Sequence, residues 1–146
     1  MIIDFTEIPS PRGHSKDRDS FEKFSRDFLE NLGFKVLVGP SRGPDGGIDL
    51  KVLEKTDKGE ILWLVSCKHN AKSKKSVTLN DEPNIRDRVE SWDCDGFMGL
   101  YSTIAHTSLN LNQERSKNKL PFKIFDNECI ESQIVGNPTM DKLFMR

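Results

Sequence analysis

Cysteine is scarce in this sequence, and the three present, Cys67, Cys94 and Cys129, lie far apart. An odd number at those separations makes neither a disulfide framework nor a zinc pattern. A reducing cytoplasm is the expected setting. No apolar run reaches membrane-spanning length, so no membrane partner is expected. The stretch from Met1 to Phe5 is too short and too acidic to be expected as a secretory signal. Strong net charge is missing too, the balance being −1. That excludes a field drawing polyanions to the whole surface, so any nucleic-acid affinity has to be local. Internal repeats and long low-complexity segments are absent as well.

What remains is an ordinary globular composition, 35% hydrophobic and 31% charged over 146 residues. That length suits one domain with a real core, residues 1–146. The chain stops at Leu143-Phe144-Met145-Arg146, immediately after an apolar cluster. A natural end and a domain cut from a longer protein both fit. The second is slightly preferred, so the expectation is one domain that could be the N-terminal module of a longer protein.

The pattern of apolar residues predicts the elements. Residues 9–20 read as an irregular charged arm. A helix is expected from Ser20 to Leu32, with Phe21, Phe24, Phe28 and Leu32 on one face. Asp19 suits its N-cap, with Glu22 three residues on, and Gly33 its C-terminal stop. Strands are expected over Phe34–Val38, Gly47–Leu53 and Ile61–Lys68. The turn-like TDKGE segment joins the last two as an antiparallel hairpin. A second helix is expected from Asp81 to Trp92, with Asp81, Glu82 and Pro83 as its first turn. A buried strand follows at Gly96–Tyr101, then a weakly patterned helix at Ser108–Lys117, a strand at Pro121–Phe125 and a short helix at Glu128–Ile134. Strand–helix–strand stretches favour parallel additions to the hairpin, giving an α/β fold with a mixed sheet flanked by helices.

The hairpin turn decides which residues meet. Centred on Asp57 and Lys58, it sets Asp49 opposite Ser66, with Lys68 diagonal on the same face. Centred one residue later, it sets Asp49 opposite Lys68. A three-residue loop would instead put Asp49 and Lys68 on opposite faces. In the first two registers the pair is about 5–8 Å apart at Cβ, which leaves room for a metal ion and a water. Phosphodiester hydrolysis needs an activated water and compensation for charge growing on the phosphate. A carboxylate-held Mg²⁺ and a nearby lysine supply these. A surface ion pair across a hairpin is the structural alternative, contributing only about 0–1 kcal/mol.

A local basic cluster adjoins this pair. Lys68, His69, Lys72, Lys74 and Lys75 fall within eight residues, with no acid among them. Such a loop is either merely solvated or follows a nucleic-acid backbone, where it contributes affinity and not base identity. Trp63 and Trp92 sit in apolar patterns and read as core.

The stretch GPDGGIDL, Gly43 to Leu50, followed by WLVSCKH, Trp63 to His69, resembles the Mrr-like branch of the PD-(D/E)xK nuclease superfamily. The upstream Phe21-Glu22 pair matches the helix that precedes these motifs in that branch, and the likeness covers roughly residues 20–105. The resemblance implies a restriction-endonuclease-like fold with an α-β-β-β-α-β core. It implies a Mg²⁺-dependent endonuclease, with Mn²⁺ able to substitute, acting on double-stranded DNA in restriction or anti-phage defence. Asp49 would be the principal metal ligand and Lys68 the catalytic lysine. Cys67 would offer its backbone carbonyl to the metal, and Glu22 would bind it from above. His69, Lys72, Lys74 and Lys75 would contact the nucleic acid. Asp45 is a further metal ligand or a turn former beside Gly46 and Gly47. Glu22 also has a capping-box reading. Cutting both strands implies a homodimer or higher oligomer, and many such domains are fused to regulatory ones.

Ser66 departs from the pattern, which usually carries Glu, Asp or Gln there. A neutral hydroxyl is a weaker ligand, so position 66 in the catalytic set is either compensated by Glu22, Asp49 and Asp45 or impaired. The rivals are therefore a nucleic-acid-binding module that has lost catalysis, an RNA-directed nuclease, and a protein-interaction domain whose charges are structural.

Overall fold

The computed structural model describes residues 15–42, 48–69, 75–109 and 120–137. Helix α1 spans Ser15–Asn31, strand β1 Lys35–Arg42, β2 Ile48–Thr56 and β3 Gly59–Lys68. A 3₁₀ turn at Leu79–Asp81 leads to helix α2 at Ile85–Ser91. Strands β4, Gly96–Tyr101, and β5, Phe122–Phe125, and helix α3, Asn127–Val135, complete these elements. The five strands lie in the order β1-β2-β3-β4-β5. The first three pair antiparallel, while β3–β4 and β4–β5 pair parallel. This is the expected mixed α/β sheet.

Helix α1 begins at Ser15, before the expected start, so Asp19 lies inside it and is no N-cap. The capping-box reading of Glu22 falls with it. Residues 15–20 carry neither Pro nor Gly to break a helix, and their lack of apolar periodicity hid them. The far end is as expected. Gly33 adopts φ +99°, the left-handed region that favours glycine. Phe34 N–H then donates to Leu29 O and Gly33 N–H to Glu30 O, both at 3.0 Å, which closes a Schellman motif.

Strand β1 is longer than expected and irregular, its register shifting between Val36 and Val38 and again between Val38 and Ser41. Pro40 falls in the second shift, on an edge strand, where a missing N–H is tolerated.

Alternation sorts the sheet into two faces. Leu50 and Val52 of β2, Trp63, Val65 and Cys67 of β3, and Met98 and Leu100 of β4 pack with Phe21, Phe28 and Leu29 of α1 and Ile130 and Ile134 of α3. Each such burial stabilises by about 1.5–3 kcal/mol. On the other face Leu64 and Phe97 meet Val89 of α2, with Ile85 and Trp92 against them. Lys51 closes that side by donating to Trp92 O at 2.9 Å, at the C-terminal end of α2. Both tryptophans thus serve the core.

The second helix corrects the sequence reading. Asp81, Glu82 and Pro83 are not its first turn. Asp81 ends the 3₁₀ turn and its carboxylate accepts from Thr78 N–H at 2.9 Å. Asn84 is left-handed, with φ 53°, and α2 starts only after it. Of the expected helix at Ser108–Lys117, only Ser108 and Leu109 are described, as part of a helical turn, and residues 110–119 lie outside the described residues.

Candidate active site

The hairpin adopts the first of the possible registers, with Thr56 opposite Gly59, Asp49 opposite Ser66 and Ile48 opposite Cys67. The turn is fixed by Thr56, whose hydroxyl donates to Gly59 O at 2.8 Å and accepts from Lys58 N–H at 3.2 Å. Parallel pairing extends the row, setting Ser66 beside Gly99 and Lys68 beside Tyr101. By backbone position, Asp49, Ser66, Lys68, Gly99 and Tyr101 share the face that α2 covers. The side chains of Asp49 and Glu22, and Asp45, Lys72 and Lys74 entirely, lie outside the described residues.

Ser66 and Lys68 are buried, 1% and 8% exposed, and both meet a carboxylate that the sequence did not single out as a site residue. Glu82 accepts from Ser66 Oγ at 3.0 Å and from the Tyr101 hydroxyl at 2.6 Å. Its Oε1 also lies 3.0 Å from Arg88 Nη1 and 3.8 Å from Lys68 Nζ. The Lys68 separation is an ion pair and is too long for a hydrogen bond. The Glu82 side chain is 0% exposed. Removing it would take the carboxylate away from two cations in a largely buried place, a change that typically costs about 3–5 kcal/mol.

Local chemistry explains how Glu82 gets there. The segment after β3 is tied to the segment after β4: Val77 N–H donates to Ile104 O at 3.0 Å and His106 N–H to Val77 O at 2.8 Å. Ser108 Oγ accepts from Leu79 N–H at 3.1 Å. The 3₁₀ turn, Pro83 and left-handed Asn84 then turn the chain at Glu82 towards the sheet instead of continuing a helix outward. Tyr101 can fold back over Gly99 because that residue has no side chain; a Cβ at 99 would meet the ring Cζ and hydroxyl at 2.4 Å. Burial first, and the Glu82 carboxylate next, hold the Tyr101 phenol well above its usual range, so it stays a donor.

The other expected site residues divide. The Cys67 thiol points into the α1 core, away from this cluster, which leaves only its backbone available to the site. His69, grouped with the basic loop from sequence, is half-buried and also contacts the fold. Its ring stacks on Phe21 at 4.5 Å, and its Nδ1 lies 2.9 Å from Ser102 Oγ. The stacking ties the Phe21 turn of α1 to the residue that follows β3. Lys75 is exposed. Glu82 could have been suspected from one signal only: an acid directly before Pro83 in an otherwise apolar-faced segment.

Among the described residues, no group of three or more His, Cys, Asp or Glu side chains could hold a metal. Among the described groups, the Glu82 carboxylate lies 3.8 Å from Lys68 Nζ and accepts from the Ser66 hydroxyl, with Asp49 at the register position opposite Ser66. Oxygen donors of this kind suit a hard divalent cation.

A family model described as a restriction endonuclease of the Mrr catalytic type matches residues 14–91, more than half of the chain. The chain belongs to that restriction endonuclease family. The matched span contains α1, the hairpin, Ser66, Lys68 and Glu82. Among solved structures, a DNA modification-dependent restriction endonuclease, AspBHI, superposes with a TM-score of 0.57 over 98% of this chain, at 11% identity. At that identity the likeness concerns the fold alone. This chain spans 41% of the length of that one. No curated protein matches the sequence. Membership of the restriction endonuclease family supports a nuclease role.

Proposed function

We propose that this domain is a divalent-metal-dependent endonuclease hydrolysing phosphodiester bonds of double-stranded DNA, in restriction or anti-phage defence. The observation that carries the reading is the hairpin register, which sets Asp49 opposite Ser66 and Lys68 on the same face, inside the span matched to the restriction endonuclease family.

Asp49, the Cys67 carbonyl and Glu22 would hold the ion, Mg²⁺ or Mn²⁺, with Asp45 a further candidate. When bound, such an ion activates a water and offsets charge on the phosphoryl oxygens. Lys68 is held close to the sheet by burial and its pairing with Glu82, so its ammonium is oriented before substrate arrives. It would orient the attacking water or stabilise the growing negative charge. Lys72, Lys74 and Lys75 would follow the backbone without reading bases. Cutting both strands needs two such sites, hence two or more copies.

The test is plasmid nicking with Mg²⁺ or Mn²⁺. The unaltered protein is expected to nick, and Asp49→Ala and Lys68→Ala are each expected to abolish nicking. Salt-sensitive DNA binding without cleavage in either metal would replace this reading with that of a binding module. Preferential digestion of RNA would change the substrate, and binding to neither nucleic acid would leave an interaction domain.

A further inference from the structure

We propose that Glu82 supplies the acidic metal ligand that position 66 lacks, so that the second carboxylate of the site comes from the segment leading into α2 and not from β3. The inference rests on the nuclease reading and names a further ligand for it.

Three features point there. The row across the sheet, Asp49–Ser66–Gly99, has small residues at its second and third positions. The space they leave is filled from elsewhere: Glu82 reaches the Ser66 hydroxyl at 3.0 Å, and Tyr101 lies over Gly99 to reach Glu82 at 2.6 Å. The carboxylate therefore occupies the place into which a longer acidic side chain at 66 would project. Its surroundings fix its position. Oε2 is held by Tyr101, and Oε1 by Ser66 and Arg88, with Lys68 at 3.8 Å. A residue needed only to neutralise Arg88 has no reason to touch the hydroxyl opposite Asp49. This one touches that hydroxyl and pairs with Lys68 as well. Arg88, 19% exposed on its side chain, offsets the carboxylate's charge before any ion arrives. Glu82 would thus complete, with Asp49, the all-oxygen set suited to a hard cation.

The experiment compares the full chain with Glu82→Gln and with the double variant Ser66→Glu/Glu82→Ala. Mn²⁺ binding is measured by calorimetry, plasmid nicking is measured in parallel, and folding is checked by thermal melting. Glu82→Gln keeps the shape and loses the charge. It is expected to weaken Mn²⁺ binding by about tenfold or more, the loss that even outer partners of metal ligands cause. The double variant returns a carboxylate to β3 and is expected to regain Mn²⁺ binding and nicking relative to Glu82→Gln. Mn²⁺ affinity and nicking unchanged in Glu82→Gln would overturn the inference while leaving the nuclease reading intact. So would a folded double variant with no regain, because it would show that Glu82 acts only by packing and pairing. If the unaltered chain neither binds Mn²⁺ nor nicks DNA, the nuclease reading itself fails, and the assignment of Glu82 with it.

Discussion

Tyr101 is the only tyrosine in the chain, so its phenolate absorbance can be read without interference. Burial, then the charge and hydrogen bond of Glu82, raise its pKa well above 10.0. The sign of the linkage follows. Below an unfolded-state pKa of about 10 both states hold the proton, and the native arrangement keeps its full stability. As pH rises from there towards the folded value, only the unfolded state releases the proton, so stability is lost progressively. The expected outcome in an alkaline titration is that phenolate absorbance appears together with loss of the native circular dichroism. Phenolate forming near pH 10 in a still-native protein would mean that the hydroxyl is open to water and does not serve Glu82. Lys68 likewise meets Glu82, a partner from another segment of the chain, as an ion pair at 3.8 Å.

At the scale of elements, β4 matters as much as the hairpin. Its parallel register sets Gly99 beside Ser66 and Tyr101 beside Lys68, and the bare backbone at 99 is what lets the tyrosine ring lie back. Gly99→Ala places a Cβ 2.4 Å from that ring, and Ile124 Cδ1 at 2.9 Å closes the nearest escape. Overpacking of this kind costs about 1–3 kcal/mol. Urea denaturation is expected to show that loss. Nicking is expected to fall with it even where the variant stays fully folded, because Tyr101 no longer holds Glu82. Full activity in a folded Gly99→Ala protein would separate the tyrosine from the site. The late start of α2 belongs to this scale too. Pro83 and left-handed Asn84 keep Glu82 out of a helix, where its side chain would have followed the helix surface.

For the whole molecule, a net charge of −1 means that DNA binding cannot draw on the total field. On the proposed reading it would come from the basic stretch after β3, of which Lys75 is exposed. Duplex affinity, measured by fluorescence anisotropy without divalent metal, is expected to fall linearly on a log–log plot against salt. Replacing Lys72, Lys74 and Lys75 with Ala should make the slope shallower by about 0.9 for each phosphate no longer neutralised, and equally for unrelated sequences. An unchanged slope would remove this stretch from the interface.

Local order was legible in the residues themselves. The apolar period of α1, the Gly33 stop and the alternation of β2 and β3 were enough to place these elements; of the turns the hairpin left open, the structure takes the two-residue one at Asp57-Lys58, which sets Asp49 and Lys68 on one face. These features depend on neighbours within a turn or across a tight hairpin, where spacing alone fixes geometry. The meeting of Ser66, Glu82 and Tyr101 was not legible. Their separations of sixteen and nineteen residues are closed by a parallel strand pairing and by a segment turned in at Pro83 and Asn84. Asp81 and Glu82 read alike as acids at the start of a helix, yet one holds Thr78 N–H and the other enters the sheet's buried face. Which of two adjacent carboxylates is buried depends on what the rest of the fold presents to each, and only the assembled sheet supplies that.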